Sequence, residues 1–225
     1  MIRVLIADDH PIVGLGFKLI LEKEADISVS SLARTARETL EAVRKTDFDL
    51  ILLDISLPDR NGLEVLRQLK SEYPEINVLV VSMYSEDLYA VRVLKEGASG
   101  YLTKDSAPED LVKAVRKVVS RGKYVSSSLA EKWAFGLADD FDGPPDKALS
   151  NREFQVMCMI ANGKTIKGMS NELYLSEKTI STYRARVLKK MNMKTNAELI
   201  NYSIKNSLIL YLALSVLNGA MLNVF

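Results

Sequence analysis

At 225 residues the chain is long enough for two modest domains, each with its own core. With 48% hydrophobic and 26% charged residues it has the composition of an ordinary globular protein, which argues against a disordered or fibrous chain. One cysteine, Cys158, and one histidine, His10, exclude an intrachain disulfide and a Cys/His metal cluster. The formal charge of +1 hides an asymmetry. Residues 1–120 carry 16 Lys+Arg against 20 Asp+Glu, residues 121–150 carry 4 against 5, and residues 151–207 carry 10 against 4. An acidic front and a basic back imply two jobs, with a polyanion as partner of the back half. The opening Met1-Ile2-Arg3-Val4 enters a strand-like run at once, unlike a signal peptide, and a reducing cytoplasm is expected.

Along the first 120 residues, short apolar runs alternate with amphipathic stretches. Strands are predicted near 2–7, 27–33, 49–54, 77–82 and 99–103, and helices near 11–22, 36–45, 62–71, 86–95 and 107–120. Five strand–helix pairs in strict alternation predict an α/β domain: a five-stranded parallel, doubly wound sheet with helices on both faces. Pro11 suits a first helical position, Pro58 and Asn61-Gly62 mark a loop, and Pro108 opens another helix. A short amphipathic piece from Ser128 to Leu137 then runs into an acidic stretch, 138–146, containing Gly143, Pro144 and Pro145. It reads as a solvated linker. The predicted divisions are 1–121, a linker over 122–147, a second domain over 148–207, and a tail over 208–225.

The second domain reads as all-α, four short helices containing a helix–turn–helix pair. Ser150 caps a helix whose apolar face includes Phe154, Met157 and Ile160, closed by Asn162-Gly163. Cys158, inside that apolar run, is expected to be a small buried hydrophobe. A helix over 166–173 follows, then one capped by Ser176 and reaching about Met191, then one capped by Thr195 and reaching about Asn206.

Chemistry gathers at the ends of the predicted strands. Asp8-Asp9, Asp54, Ser82, Tyr101 and Lys104 follow or close successive apolar runs. In a parallel sheet those ends line one edge, where open α/β sheets place their ligand sites. Singly, each residue has an ordinary use as a cap or a solvated charge. Together, carboxylates, a hydroxyl and an amine suit a divalent cation and a phosphoryl group. Mg²⁺ takes oxygen ligands and keeps several waters. Asp9, Asp54 and a backbone carbonyl at Ser56 could supply the protein's share, with Asp8 orienting a metal-bound water. Phosphoryl transfer needs positioning and charge stabilisation, and an Asp suffices as a nucleophile. Lys104 and Ser82 would contact the phosphoryl oxygens.

Residues 1–120 resemble the receiver domain of two-component response regulators, a CheY-like fold. The likeness runs through Ile6-Ala7-Asp8-Asp9-His10, the segment from Leu53 to Gly62, Val81-Ser82, and the segment from Gly97 to Lys104. The resemblance implies that Asp54 is the phosphoacceptor of a sensor histidine kinase and that Asp8 and Asp9 bind Mg²⁺. It also implies that Ser82 and Tyr101 form the conformational switch and that Lys104 contacts the phosphoryl group. His10 is read as a neighbour of the site at a helix start.

Residues 149–207 resemble the LuxR-type helix–turn–helix domain of the NarL/FixJ class, through Leu149 to Glu153, Ala161 to Lys164, Leu175 to Ser181, Lys189 to Asn192 and Asn196 to Ile200. The Ser-Thr-Tyr-Arg-Ala-Arg segment at 181–186 is most similar to regulators of the BvgA/EvgA kind. On a 3.6-residue helix, Ile180, Val187 and Met191 share the face toward the core, flanked by Tyr183 and Leu188. Lys178, Thr182, Ala185 and Lys189 lie opposite, with Ser181 and Arg186 at the edges. Such a helix fits the major groove, its first turns nearest the bases. Lys178, Ser181 and Thr182, with Thr179 beside them, are the base-edge candidates, and Arg186, Lys189 and Lys190 the phosphate contacts.

Two segments depart from the family pattern. Lys167-Gly168-Met169-Ser170 places a glycine in a short helix, at a cost of about 1 kcal/mol relative to Ala. The tail, 208–225, is apolar and uncharged, and is read as an added covering helix or dimer contact, as a scar, or, last, as a membrane anchor. The expected function is a phosphorylation-controlled transcriptional regulator that dimerises on double-stranded promoter half-sites. The alternatives are a DNA-binding protein with a vestigial receiver and, more remotely, a phosphohydrolase.

Overall fold

A computed structural model describes residues 1–84, 86–134, 145–206 and 208. The chain divides into two compact units, Met1–Asp139 and Asp140–Phe225. In the first, β1 (Ile2–Ala7), α1 (Pro11–Leu21), β2 (Ile27–Ala33), α2 (Ala36–Lys45), β3 (Leu50–Leu53), α3 (Gly62–Glu72), β4 (Asn77–Ser82), α4 (Glu86–Lys95), β5 (Gly100–Thr103) and α5 (Pro108–Val119) alternate as expected. All four strand pairings are parallel, in the order β2-β1-β3-β4-β5. β3 is buried along its whole length, because helices cover both faces of a central parallel strand. β2, at the edge, keeps exposed positions.

The strand order turns at β1, which has β2 on one side and β3 on the other. Ala7 is in register with Leu53, so Asp8 and Asp54 are each the first residue past their strand. The Asp54 amide donates to the Ala7 carbonyl (2.9 Å), pinning the two ends together. The loop after Asp54 is drawn tight at Gly62, whose amide donates to the Ile55 carbonyl (2.8 Å). A Cβ at Gly62 would lie 2.2 Å from the Asp54 carbonyl oxygen, so only glycine fits there. Asn61 caps α3 through the Leu63 amide, and the Asp59 carboxylate accepts the Ala36 and Arg37 amides at the start of α2. The β3–α3 loop is thereby held to a second helix.

The segment predicted as linker from 122 onward begins as part of the first unit. Tyr124 accepts the Tyr101 amide at its carbonyl (3.1 Å) and donates its own amide to the Ser99 carbonyl (3.0 Å). α6 (Ser127–Ala134) follows, with Leu129 buried. The attachment has a simple cause: β5 would otherwise be a bare sheet edge, and the chain beyond α5 satisfies part of it. Residues 135–144, the acidic core of the predicted linker, lie outside the described residues.

The second unit contains a 3₁₀ turn (Pro145–Ala148), α7 (Asn151–Ala161), α8 (Ile166–Leu173), α9 (Glu177–Lys190) and α10 (Asn196–Lys205). The turn is tied to α10, because the Tyr202 hydroxyl donates to the buried Asp146 carboxylate (2.5 Å). Each helix starts on a hydroxyl cap: Ser150, Thr165, Ser176 and Thr195. At Ser150 the reciprocal bond from its own amide to Glu153 completes a capping box. α7 is buried from Glu153 through Ala161, Cys158 included, so it is the central helix rather than one with a single apolar face. Gly168 sits in the first turn of α8, where its amide donates to the Thr165 cap (3.0 Å). There the backbone is already fixed by the cap. Of the tail, only Leu208 is among the described residues; its amide donates to the Ser203 carbonyl (2.7 Å). Among the described residues no helix is long and apolar enough to cross a membrane.

Candidate phosphoacceptor site and nucleic-acid interface

At the carboxyl edge of the sheet the Lys104 ammonium lies between two carboxylates, 2.7 Å from Asp8 Oδ2 and 2.8 Å from Asp54 Oδ2. All three side chains are about 4% exposed or less. Lys104 is held there from behind, because its amide donates to the Ser82 carbonyl (2.8 Å) at the end of β4. Asp54 Oδ1 accepts the Ser56 amide (3.2 Å), and Asp8 Oδ1 accepts the His10 amide (2.9 Å). The His10 imidazole Nδ1 is 2.6 Å from Asp9 Oδ1. His10, read from sequence only as a neighbour, therefore touches the acidic pair directly.

Ligand atoms of Asp8, Asp9, His10 and Asp54 all lie within 4.8 Å of one another. Burial pushes the Asp54 carboxyl above its usual range, and the nearby Asp8 charge adds to this, against the pull of Lys104. Burial alone would depress the Lys104 ammonium, but Asp54 and Asp8 outweigh it and raise its pKa. The cluster thus gathers more negative charge than one lysine offsets. Carboxylate oxygens with an open negative balance are a donor set that fits a hard divalent cation.

Ser82 and Tyr101 are fully buried beside this cluster. The Tyr101 hydroxyl donates to the Tyr84 carbonyl (2.8 Å), and the Tyr84 amide donates to Ser82 Oγ (3.3 Å). Burial holds the Tyr101 phenol far above its ordinary pKa, so it stays a proton donor. Sequence reasoning found Ser82 and Tyr101 but missed Tyr84, which joins them through backbone atoms that carry no side-chain signal. It also missed Asp59, whose helix partner lies 23 residues away in sequence.

In the second unit α9 presents the faces that its periodicity predicts. Ile180, Val187 and Met191 are buried, while Lys178, Ser181, Thr182, Ala185, Arg186 and Lys189 are exposed. Thr179 is half-buried, its hydroxyl 2.8 Å from the Ser176 cap, and the Thr182 hydroxyl donates to the Lys178 carbonyl (2.9 Å). Lys190, also on the exposed surface, makes a contact within the unit that the sequence did not indicate. Its ammonium lies 2.6 Å from the buried Glu153 carboxylate and 3.3 Å from the Ala148 carbonyl. It ties α9 to the start of α7. Arg184, unpredicted, donates to Asn196 Oδ1 (2.7 Å) and joins α9 to α10.

Comparison with known proteins agrees with both halves. The response regulator receiver domain family matches residues 4–116, and the luxR family of bacterial regulatory proteins matches residues 147–203. The chain belongs to the response regulators. Its receiver precedes a LuxR-type helix–turn–helix domain, the order of the NarL/FixJ class. Response regulator UvrY of Escherichia coli is 33% identical over 209 residues, which cover 92% of this chain and 96% of UvrY. Response regulator GacA of Pseudomonas aeruginosa is 34% identical over 211 residues, 93% of this chain and 98% of GacA. Among solved structures, RcsB of Salmonella enterica serovar Typhimurium, bound to promoter rprA with phosphomimetic BeF3-, superposes with a TM-score of 0.63 at 28% identity. That match covers 89% of this chain and 97% of RcsB. A structure of two RcsB dimers bound to two parallel DNAs gives a TM-score of 0.57 at 26% identity, with the same coverages. This response regulator is a transcription regulator whose receiver is joined to a DNA-binding unit.

Proposed function

We propose that Asp54 accepts a phosphoryl group from the phosphohistidine of a sensor histidine kinase. A carboxylate oxygen of Asp54 forms the new P–O bond, the P–N bond of the donor breaks, and the donor imidazole leaves and takes up a proton. The supporting observation is the buried Lys104 ammonium bridging Asp8 and Asp54 at the sheet's carboxyl edge. Asp8, Asp9 and Asp54, with the backbone at Ser56, would hold Mg²⁺, which supplies charge neutralisation for the incoming phosphoryl oxygens. Lys104 moves from its carboxylates to those oxygens, and Ser82 offers its hydroxyl to one of them. Ser82 and Tyr101 act as the switch. Turnover is limited to slow loss of the chain's own acyl phosphate.

The output is a dimer on paired half-sites of double-stranded DNA in the cytoplasm. Lys178, Thr179, Ser181 and Thr182 lie where α9 would meet base edges, and Arg186 and Lys189 where it would meet phosphates. Lys190 serves the fold through Glu153. The receiver and luxR families matched at residues 4–116 and 147–203 support this reading.

Incubation with acetyl phosphate and Mg²⁺, followed by intact mass, tests the site. One added phosphoryl group is expected in the wild type and none in Asp54→Ala or after chelation of Mg²⁺. Phosphorylation is expected to strengthen binding to promoter DNA. Stimulation that persists in Asp54→Ala would sink the reading, and no added phosphate in the wild type would leave a phosphorylation-independent DNA-binding protein with a vestigial receiver.

A further inference from the structure

We infer that Glu86 couples the phosphoacceptor site to the segment leading out of the receiver, by holding the amino terminus of α6. The inference rests on the reading of Ser82 and Tyr101 as the switch and extends it to a residue that the site does not contain. Ser82 closes β4, and its Oγ accepts the Tyr84 amide (3.3 Å). The Tyr84 carbonyl in turn accepts the hydroxyl of the fully buried Tyr101 (2.8 Å). Two residues further on, Glu86 opens α4, and its Oε1 accepts the amide of Ser126 (2.8 Å).

Ser126 is the residue on which α6 starts. Its Oγ accepts the Leu129 amide (3.2 Å) and its carbonyl accepts the Ala130 amide (3.0 Å). A carboxylate on that amide is doubly placed: the bond is charge-assisted, and the amino end of a helix favours negative charge. The same segment is fastened a second time, because the Tyr101 amide donates to the Tyr124 carbonyl (3.1 Å). Tyr101 thus touches the β4–α4 connection with its hydroxyl and the approach to α6 with its backbone. Drawing Ser82 toward a phosphoryl group pulls on Tyr84, and α4 begins only two residues later. Hydrogen bonds weaken steeply as they lengthen or bend, so a small shift of the first turn of α4 releases Ser126. Among the described residues, α6 is the last helix of the first unit. A change at the residue that starts it is carried along the chain toward the DNA-binding half.

The full chain, with Glu86→Ala and Glu86→Gln variants, tests this. Phosphoryl incorporation at Asp54 is expected to match the wild type in both variants, and the thermal midpoint of the first unit to fall by no more than the loss of one helix-end hydrogen bond. The factor by which phosphorylation changes affinity for promoter DNA is expected to fall about tenfold toward one in Glu86→Ala, within the usual range of coupling between sites. Glu86→Gln keeps an acceptor oxygen and should fall between. Hydrogen exchange supplies a reading that a purely structural role would not move. Beryllofluoride should alter exchange of the wild-type peptide containing the Ser126 amide, and leave that peptide unaltered in Glu86→Ala. Full wild-type coupling in Glu86→Ala, or a Ser126 peptide indifferent to beryllofluoride in the wild type, overturns the inference. If the wild type takes up phosphate but its DNA affinity does not change, the switch reading itself fails.

Discussion

Lys104 shows how one side chain decides the behaviour of a site. Its ammonium is the counter-charge for two carboxylates that are almost wholly out of water. Removing one member of a buried charge group leaves the others uncompensated, which costs about 3 kcal/mol or more. Lys104→Ala is expected to lower the unfolding free energy of the first unit, read from urea denaturation, by that amount and to slow phosphoryl uptake from acetyl phosphate. Tyr174 is the opposite case, a residue whose replacement should help. It ends α8 with φ +51°, in the left-handed region, and its side chain is 61% exposed. A glycine there avoids the clash between Cβ and the carbonyl that L residues meet, worth about 1 kcal/mol. Tyr174→Gly should raise the denaturation midpoint of the second unit. Both sites were visible as letters in the sequence. The burial of Lys104 and the backbone angle of Tyr174 were not, since each depends on where later chain segments pass.

At the scale of elements, the caps were the easiest features to foresee. Ser150, Ser176 and Thr195 start their helices as their positions suggest, because a cap and its amide lie within three residues. What joins one helix to another could not be foreseen. Lys190 and Glu153 are 37 positions apart, and a basic helix end gives no sign of which lysine will pair with a carboxylate on another helix. Two mutants separate the roles. Lys189→Ala should weaken DNA binding evenly across sequences and reduce the salt dependence by about one counterion. Lys190→Ala should lower the stability of the second unit and leave that slope alone. The Glu153 carboxyl also carries a pH dependence. Burial would raise its pKa, but bonds from Lys190 and Ser150 win and hold it below the ordinary 4.5. The unfolded chain therefore binds this proton first. The stabilisation is complete above about pH 4.5 and is lost as pH falls through the lower folded value. Unfolding of the second unit, followed in acid, should show this loss, and Glu153→Gln should flatten it.

For the whole molecule, two kinds of information have different origins. The alternation of strands and helices, the parallel sheet, the helical second unit and the charge asymmetry between them all follow from the sequence by itself. Periodicity and capping act over a few residues, and charge is additive. The convergence of Asp8, Asp54, Ser82 and Lys104 was also legible, because in a parallel sheet the end of each strand falls on the same edge whatever the loops do. The matching families cover both units in the expected order. Only the tertiary structure decided what those residues touch. It set the ammonium of Lys104 between two particular carboxylates, paired Lys190 with Glu153, fastened Tyr124 to the edge of β5 and placed Glu86 on the Ser126 amide just before α6. Each of these contacts joins residues at least 22 positions apart. Their partners are selected by packing and by the need to satisfy buried polar groups, which no local pattern of letters encodes.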